Sequence, residues 1–445
     1  MKVRSLALAS FVLLVLLGTL YWSDHRKPAE DVKASTDASP AILKVNEAAI
    51  TQLEIKRKDA EPLLLTKNNS GLWQITQPKP LNADQSSVSG VLSTLSNLDS
   101  DRLVESKTSD LQQYGLAQPA VEVDLTGKDN KTQKLLIGDA TPAGSDVYAM
   151  LAGDPRVFTM AKYHETSIDK NENDLRDKRL ITVSADKVSR VDLIRKNQDI
   201  EFGRNKDEWQ ILKPKPLRAN SVQVGELVST LADARMDLNG ADSSSKAATE
   251  GFTHATPVAT VKVTDPSGVQ EIEIRKNKDT YYAKSSVVEG DYKVDSALGQ
   301  AVDKGLDDFR NKSVFDFGYN EPDKIEIHNG AKAYFLTKGG NDWWGPAGKK
   351  MEAGSVEDLI AKLRDLSASK FVESGFSNPA LDITVTSNDG KRVEKVAIAK
   401  SGGGYIARRE NDPTLYQFDS NSVDGLEKAA DEVKPVAGPE KKTGK

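Results

Sequence analysis

Apolar and polar positions alternate strictly in three separate stretches: at Val121, Val123 and Leu125, at Ala259, Val261 and Val263, and at Leu381, Ile383 and Val385. A period of two predicts strands that pack one face and wet the other, as in antiparallel sheets. Upstream of each stretch the rhythm changes to steps of three and four. The apolar positions there are Val88, Val91, Leu92, Leu95 and Leu98, then Val224, Leu227, Val228, Leu231 and Ala234, then Val356, Ile360, Leu363 and Leu366. That spacing lays an apolar stripe along one side of a helix, which must be buried on a sheet, and Asp84, Asn220 and Ser355 are the expected N-caps. Turn residues follow the strands at Lys128-Asp129-Asn130, Asp265-Pro266-Ser267-Gly268 and Asn388-Asp389-Gly390, as hairpins require.

The pattern is one module written three times. Trp73-Gln74-Ile75 with Pro78-Lys79-Pro80-Leu81 recurs as Trp209-Gln210-Ile211 with Pro214-Lys215-Pro216-Leu217, at a constant offset of 136, and a looser copy reads Trp343-Trp344-Gly345-Pro346. The expected fold class is α+β, with three tandem modules over 44–182, 183–315 and 316–434. Each is an antiparallel sheet packed with one or two amphipathic helices. Such units are too long for a solenoid and read as domains in tandem. A lysine-rich tail, 435–445, is expected to be disordered.

A different segment precedes them. Lys2 and Arg4 lead an apolar run from Leu6 to Trp22, and these 17 positions reach roughly 25 Å as a helix, enough for a thin bilayer. A signal peptide would end in a small-x-small site, whereas this run leaves through Leu20-Tyr21-Trp22-Ser23. An uncleaved transmembrane anchor over 1–23 is therefore expected, then a flexible tether over 24–43. The short cationic N-terminus favours a single pass through the inner membrane, with the N-terminus cytoplasmic and the bulk periplasmic.

Charge narrows the partners. With 61 basic and 66 acidic residues interspersed, the net charge is -5 and no basic stripe exists for nucleic acid. The chain has no cysteine, which removes disulfides and thiolate metal sites.

Candidate chemistry is sparse. The four histidines, His25, His164, His254 and His328, stand far apart and form no HxxxH-type pair. Asp169-Lys170-Asn171-Glu172-Asn173 opens like a calcium loop, but Asp174 stands where glycine is needed and Leu180 where a bidentate glutamate is needed. Ser401-Gly402-Gly403-Gly404-Tyr405 reads as a hairpin turn and not a phosphate cradle. No catalytic, cofactor or metal residue is assigned, and no enzyme is expected. The strongest polar signal is Asp174-Leu175-Arg176-Asp177-Lys178, repeated as Asp308-Phe309-Arg310-Asn311-Lys312 at the two module junctions. Asp174, Arg176, Lys178, Asp308, Arg310 and Lys312 are therefore expected to clamp one module to the next. Of the adjacent Trp343 and Trp344, which point to opposite faces of a strand, one is expected to contact a partner.

Several of these segments resemble the bacterial domain of unknown function 4340. They are Trp73-x-Ile75-x-x-Pro78, the helix led by Ala83-Asp84, Tyr114-Gly115-Leu116 with Pro119, Leu136-Ile137-Gly138-Asp139-Ala140-Thr141-Pro142 before Val147-Tyr148-Ala149, and Asp174 to Leu180. The resemblance is strong over the first module, fair over the second and weak over the third. In the second module the Ile-Gly-Asp segment is degraded to Ile274-Arg275-Lys276-Asn277. The resemblance brings no catalytic residues. It implies a membrane-anchored envelope protein whose relatives look like auxiliary components of ABC-type exporters and gliding-type systems. The expected function is a non-enzymatic periplasmic accessory or scaffold protein that engages envelope or transporter proteins. Binding of envelope glycan is the alternative, and a hydrolase with a site built from distant acids is a third class.

Overall fold

The computed structural model describes residues 41–206, 208–239, 245–318 and 322–437. The expected anchor over 6–22, His25, most of the tether and the end of the tail lie outside them. Among the described residues no helix is long and apolar enough to cross a membrane. The chain divides into two compact units, Met1–Asp177 and Lys178–Lys445. The first holds one large sheet and the second holds two.

The first sheet has nine strands, ordered in space as Leu81–Asn82, Trp73–Gln77, Leu63–Lys67, Ile50–Arg57, Val121–Gly127, Thr132–Ala140, Asp146–Leu151, Val157–Ala161 and Arg102–Glu105. Its chain path is two meanders. One runs outward from Ile50–Arg57 and is followed by the helix Gln85–Ser96. The other runs outward on the opposite side from Val121–Gly127 and is followed by the helix Lys162–Ile168. The meanders join antiparallel along their first strands, with Leu53 opposite Leu125 and Ile55 opposite Val123.

Both sheets of the second unit repeat this plan. Their meanders join through Arg190–Arg195 against Thr256–Asp265 and through Lys324–Asn329 against Leu381–Ser387. Helices Ser221–Ala232 and Ser296–Asp303 pack together in one module, and Ala353–Arg364 and Ser420–Asp431 in the other. The architecture is α+β, with antiparallel sheets throughout.

The alternating residues supply the cores. Val88, Val91, Leu92 and Leu95 are buried on the helix side of the first sheet against Leu53, Ile55, Val123 and Leu125. Each such side chain contributes ~2 kcal/mol by leaving water. Trp73 and Trp209 are buried in the same way. Asp84 caps its helix through the Ser87 N–H at 2.8 Å, and Asn220 caps through Val222 and Gln223 at 3.1 and 3.2 Å. Ser355 does not cap. The third helix starts earlier, at Ala353, with Glu352 in the cap position, and the Ser355 hydroxyl donates back to the Glu352 carbonyl.

On the opposite face of the first sheet, Tyr114, Leu116, Met150 and Val157 form a second small core. The Tyr114-Gly115-Leu116 loop lies so close to Gly138-Asp139 that a Cβ on Gly138 would meet the Tyr114 carbonyl oxygen at 2.1 Å. The later modules fasten the corresponding loop differently. Arg275 stacks over Phe252 at 4.3 Å, and Arg408 over Phe376 at 4.6 Å. The degraded segment at Ile274-Arg275 is thus an exchange of glycine contact for a cation on a ring.

The module bounds differ from those expected from the pattern. The segment taken as the end of the tether already contains a strand, Ala41–Lys44, which pairs with Asn97–Asp99. The segment taken as the start of the tail pairs through Pro435 with Met351. The Pro435 contact is made by backbone, which carries no side-chain signature, whereas the early strand does bury apolar side chains, Ile42 and Leu43, in the first core.

Candidate functional site at the module junctions

The two junction motifs perform the same backbone task. Arg176 bridges Ala83, with Asp84 N–H donating to the Leu175 carbonyl and Asp177 N–H to the Asn82 carbonyl, both at 2.8 Å. Arg310 bridges Ala219, with Asn220 N–H donating to Phe309 at 2.8 Å and Asn311 N–H to Arg218 at 2.9 Å. In the third module Glu352 N–H donates to Lys434 and Val436 N–H to Lys350, both at 2.9 Å. Every module is therefore closed by its own last residues returning beside the segment that leads into its first helix.

A few residues later the chain opens the next module. The Lys178 carbonyl accepts from Met236 N–H at 2.8 Å, and the Lys312 carbonyl accepts from Ala368 N–H at 2.9 Å. These are the counterparts of Ala41–Lys44 beside Asn97–Asp99 in the first module. One short motif thus closes one module and begins another, which is why it occurs twice in a chain of three.

The acidic members stay within their own turns. The Asp174 carboxylate accepts the Asn171 N–H at 2.8 Å while the Asn171 side chain accepts the Asp174 N–H at 3.1 Å, a reciprocal cap on the one-turn helix Glu172–Leu175. The residues that imitate a calcium loop are part of this cap. Asp308 likewise accepts the Gly305 N–H at 2.7 Å. Arg176 is 6% exposed, with Glu172 at 3.8 Å.

Arg310 reaches from the second module into the third. Its guanidinium lies 3.4 Å from the Phe371 ring centroid, with Asp307 at 3.0 Å and the Thr414 hydroxyl at 3.4 Å. Beside it is a larger network that the sequence did not disclose. Arg218 ends the strand Leu217–Arg218 and donates to the Ser313 carbonyl at 2.8 Å, to the Tyr416 hydroxyl at 2.9 Å and to the Asp316 carboxylate. Asp316 also meets Arg409 at 3.2 Å and Arg392 at 3.3 Å. Glu394, whose side chain is 3% exposed, accepts Arg409 at 3.0 Å and the Asp316 N–H at 2.9 Å. Arg409 further donates to the Val314 carbonyl at 2.7 Å.

Three arginines and two carboxylates thus join the modules, with their charges paired and hydrogen-bonded as burial demands. Desolvation pulls the Arg218 guanidinium down, yet the Asp316 charge and Tyr416 outweigh it and hold its pKa above the ordinary value. Burial pushes the Tyr416 phenol up to about 12, with Arg218 opposing that rise and Asp412 adding to it. Arg218 stands where the first module has Asn82 and the third has Lys350. Its departure from those copies is the one sequence signal that could have marked it.

The adjacent tryptophans separate as their strand dictates, Trp343 into the core at 5% exposure and Trp344 to the surface at 39%. His164 lies tilted against Tyr163 with ring centroids 4.0 Å apart, His254 meets the Glu250 carbonyl at 2.8 Å, and His328 meets Phe335 edge-on at 5.4 Å. Among the described residues no group of three His, Cys, Asp or Glu is placed to hold a metal ion.

Paired helices on one face of an antiparallel double meander, repeated in tandem, define a class of multi-module α+β protein. The chain belongs to the family described as Domain of unknown function (DUF4340), matched over residues 73–217 and again over 209–380. Both matches begin at the repeated tryptophan, Trp73 and Trp209, and the first ends at Leu217. The unit of similarity is therefore out of phase with the sheets: it runs from inside one module, through the closing motif, into the first meander of the next. No curated protein matches the chain. Among solved structures, a crystal structure of the DNA polymerase sliding clamp from Pseudomonas aeruginosa with ligand is similar over 89% of this chain and 93% of that chain, at 8% identity and a TM-score of 0.18. That likeness is too low to bear on function.

Proposed function

We propose that this is a non-enzymatic accessory or scaffold protein, held in the inner membrane by residues 6–22, whose modules engage other envelope proteins from the periplasm, as an auxiliary to an ABC-type exporter. The observation that carries the reading is the Arg218 junction. The polar side chains concentrated there are engaged in fixing one module on the next, and the repeated motif residues close modules. A chain that spends its charged residues this way presents a preset surface, and several modules on one tether raise the effective concentration of that surface at the membrane. The test is chemical crosslinking in whole cells, followed by capture of the full-length chain from solubilised membranes. An exporter or other envelope subunit should be recovered in stoichiometric amount, and protease added to spheroplasts should digest the modules. Modules protected in spheroplasts but digested in lysed cells would refute the location, and capture of the chain alone would refute the role.

A further inference from the structure

The face of the third sheet turned away from its helices carries a feature the other two sheets lack. On Asp342–Trp344 the buried Trp343 sends Trp344 outward, and on Lys332–Gly339 the buried Leu336 leaves Phe335 outward. Trp344 is 39% and Phe335 41% exposed. The Trp344 ring leans over Gly339, where any Cβ would meet its Nε1 at 2.9 Å, so glycine there makes room for the ring. At the Trp344 position the earlier modules have Gln74 and Gln210, and at the Phe335 position Leu64 and Glu201. The aromatic pair is a property of this module alone.

The rows beside these rings are polar and of both signs. By cross-strand register, Phe335 faces Glu326, Glu326 faces Thr384, and Thr384 faces Lys395. His328, whose ring meets Phe335, faces Asp382, which leads through Ala397 to Arg408. A hollow of about 260 Å³ lies on this face, lined by Asp382, Thr384, Lys395, Arg408 and Glu410 among others. Arg409 also lines it but is neutralised by Asp316 at 3.2 Å and Glu394 at 3.0 Å, so the charges left to the hollow, Asp382 and Glu410 against Lys395 and Arg408, balance.

We propose that this face binds a neutral glycan chain. Exposed rings on a sheet face offer apolar platforms on which the C–H faces of a pyranose rest. The adjoining acids, bases and threonine supply the mixture of donors and acceptors that hydroxyl groups need. Balanced charge opposes a polyanion or a polycation, because half of the hollow would repel either one. An amphipathic helix would require a continuous apolar stripe, whereas here Thr337 separates Trp344 from Phe335 and charged residues flank both.

The test is co-sedimentation of the purified full-length chain with peptidoglycan sacculi and with chitin particles, at low and high salt. The expected result is binding to at least one of them that survives high salt and falls at least about fivefold in both Trp344→Ala and Phe335→Ala. Gln74→Ala, at the corresponding position of the first module, should leave binding unchanged. Circular dichroism of the variants confirms that the fold is retained. Failure to sediment with either probe overturns the proposal. So does binding that both variants keep, or binding abolished by salt, which would mark attraction between charges.

Discussion

Removing Arg218 and removing Asp316 should have unequal costs, although the two residues face each other. Arg218→Ala withdraws the guanidinium from Asp316, from the Ser313 carbonyl and from the Tyr416 hydroxyl. Asp316 keeps Arg409 at 3.2 Å and Arg392 at 3.3 Å, and Tyr416 keeps Asp412 at 2.8 Å, so no buried charge is stranded. The cost is that of a few charge-assisted hydrogen bonds in a site about a fifth exposed, roughly 2 kcal/mol. Asp316→Ala leaves Arg218, Arg392 and Arg409 around a single carboxylate, Glu394. That is the penalty for uncompensated buried charge, roughly 3–5 kcal/mol. Urea unfolding of the full chain, followed by hydrogen exchange read segment by segment, measures both. In Arg218→Ala the protection of the second and third modules should separate, with the second losing protection at a different denaturant concentration from the third. Equal costs below about 1 kcal/mol, with the two modules still unfolding together, would mean that the network neither carries buried charge nor couples the modules.

Gly138→Ala should destabilise the first module by about 2 kcal/mol, because the new Cβ meets the Tyr114 carbonyl at 2.1 Å, and exchange protection should fall first around 111–116. Asp84→Ala should cost about 1 kcal/mol and Ser355→Ala less than about 0.5 kcal/mol, since only the former caps a helix; thermal unfolding of the two variants checks the contrast. Tyr416 has its pKa raised from 10.0 to about 12, so its neutral form contributes stability that is complete below pH 10 and lost as pH rises toward 12. That contribution is roughly 2–3 kcal/mol, and Tyr416→Phe should flatten the alkaline loss of stability by about the slope of one proton.

The strands and helices were legible because each obeys a local period. Val121-x-Val123-x-Leu125 and Val88 to Leu95 each describe one buried face, and burial is what the structure does with them. Caps are legible where the side chain does the work, as at Asp84 and Asn220, and not at Ser355, where the cap position lies three residues earlier, at Glu352. The closing bridge of the third module was invisible because Pro435 and Met351 meet through backbone. The Arg218 network was invisible for a different reason: Arg218 and Asp316 are 98 residues apart, and only folding brings them together. Arg176 and Arg310 stand out in the sequence because they repeat, and Arg218 does not repeat.

The proposed role rests on the junction of the second and third modules being preset to engage an envelope protein. Crosslinking and capture of the full-length chain from membranes, comparing the native protein with Arg218→Ala at equal abundance and equal helix content, tests it most directly. A stoichiometric envelope or transporter subunit is expected with the native chain, with a loss of at least about fivefold on breaking the junction. Recovery of that subunit undiminished from Arg218→Ala, with exchange showing the second and third modules uncoupled, would contradict it.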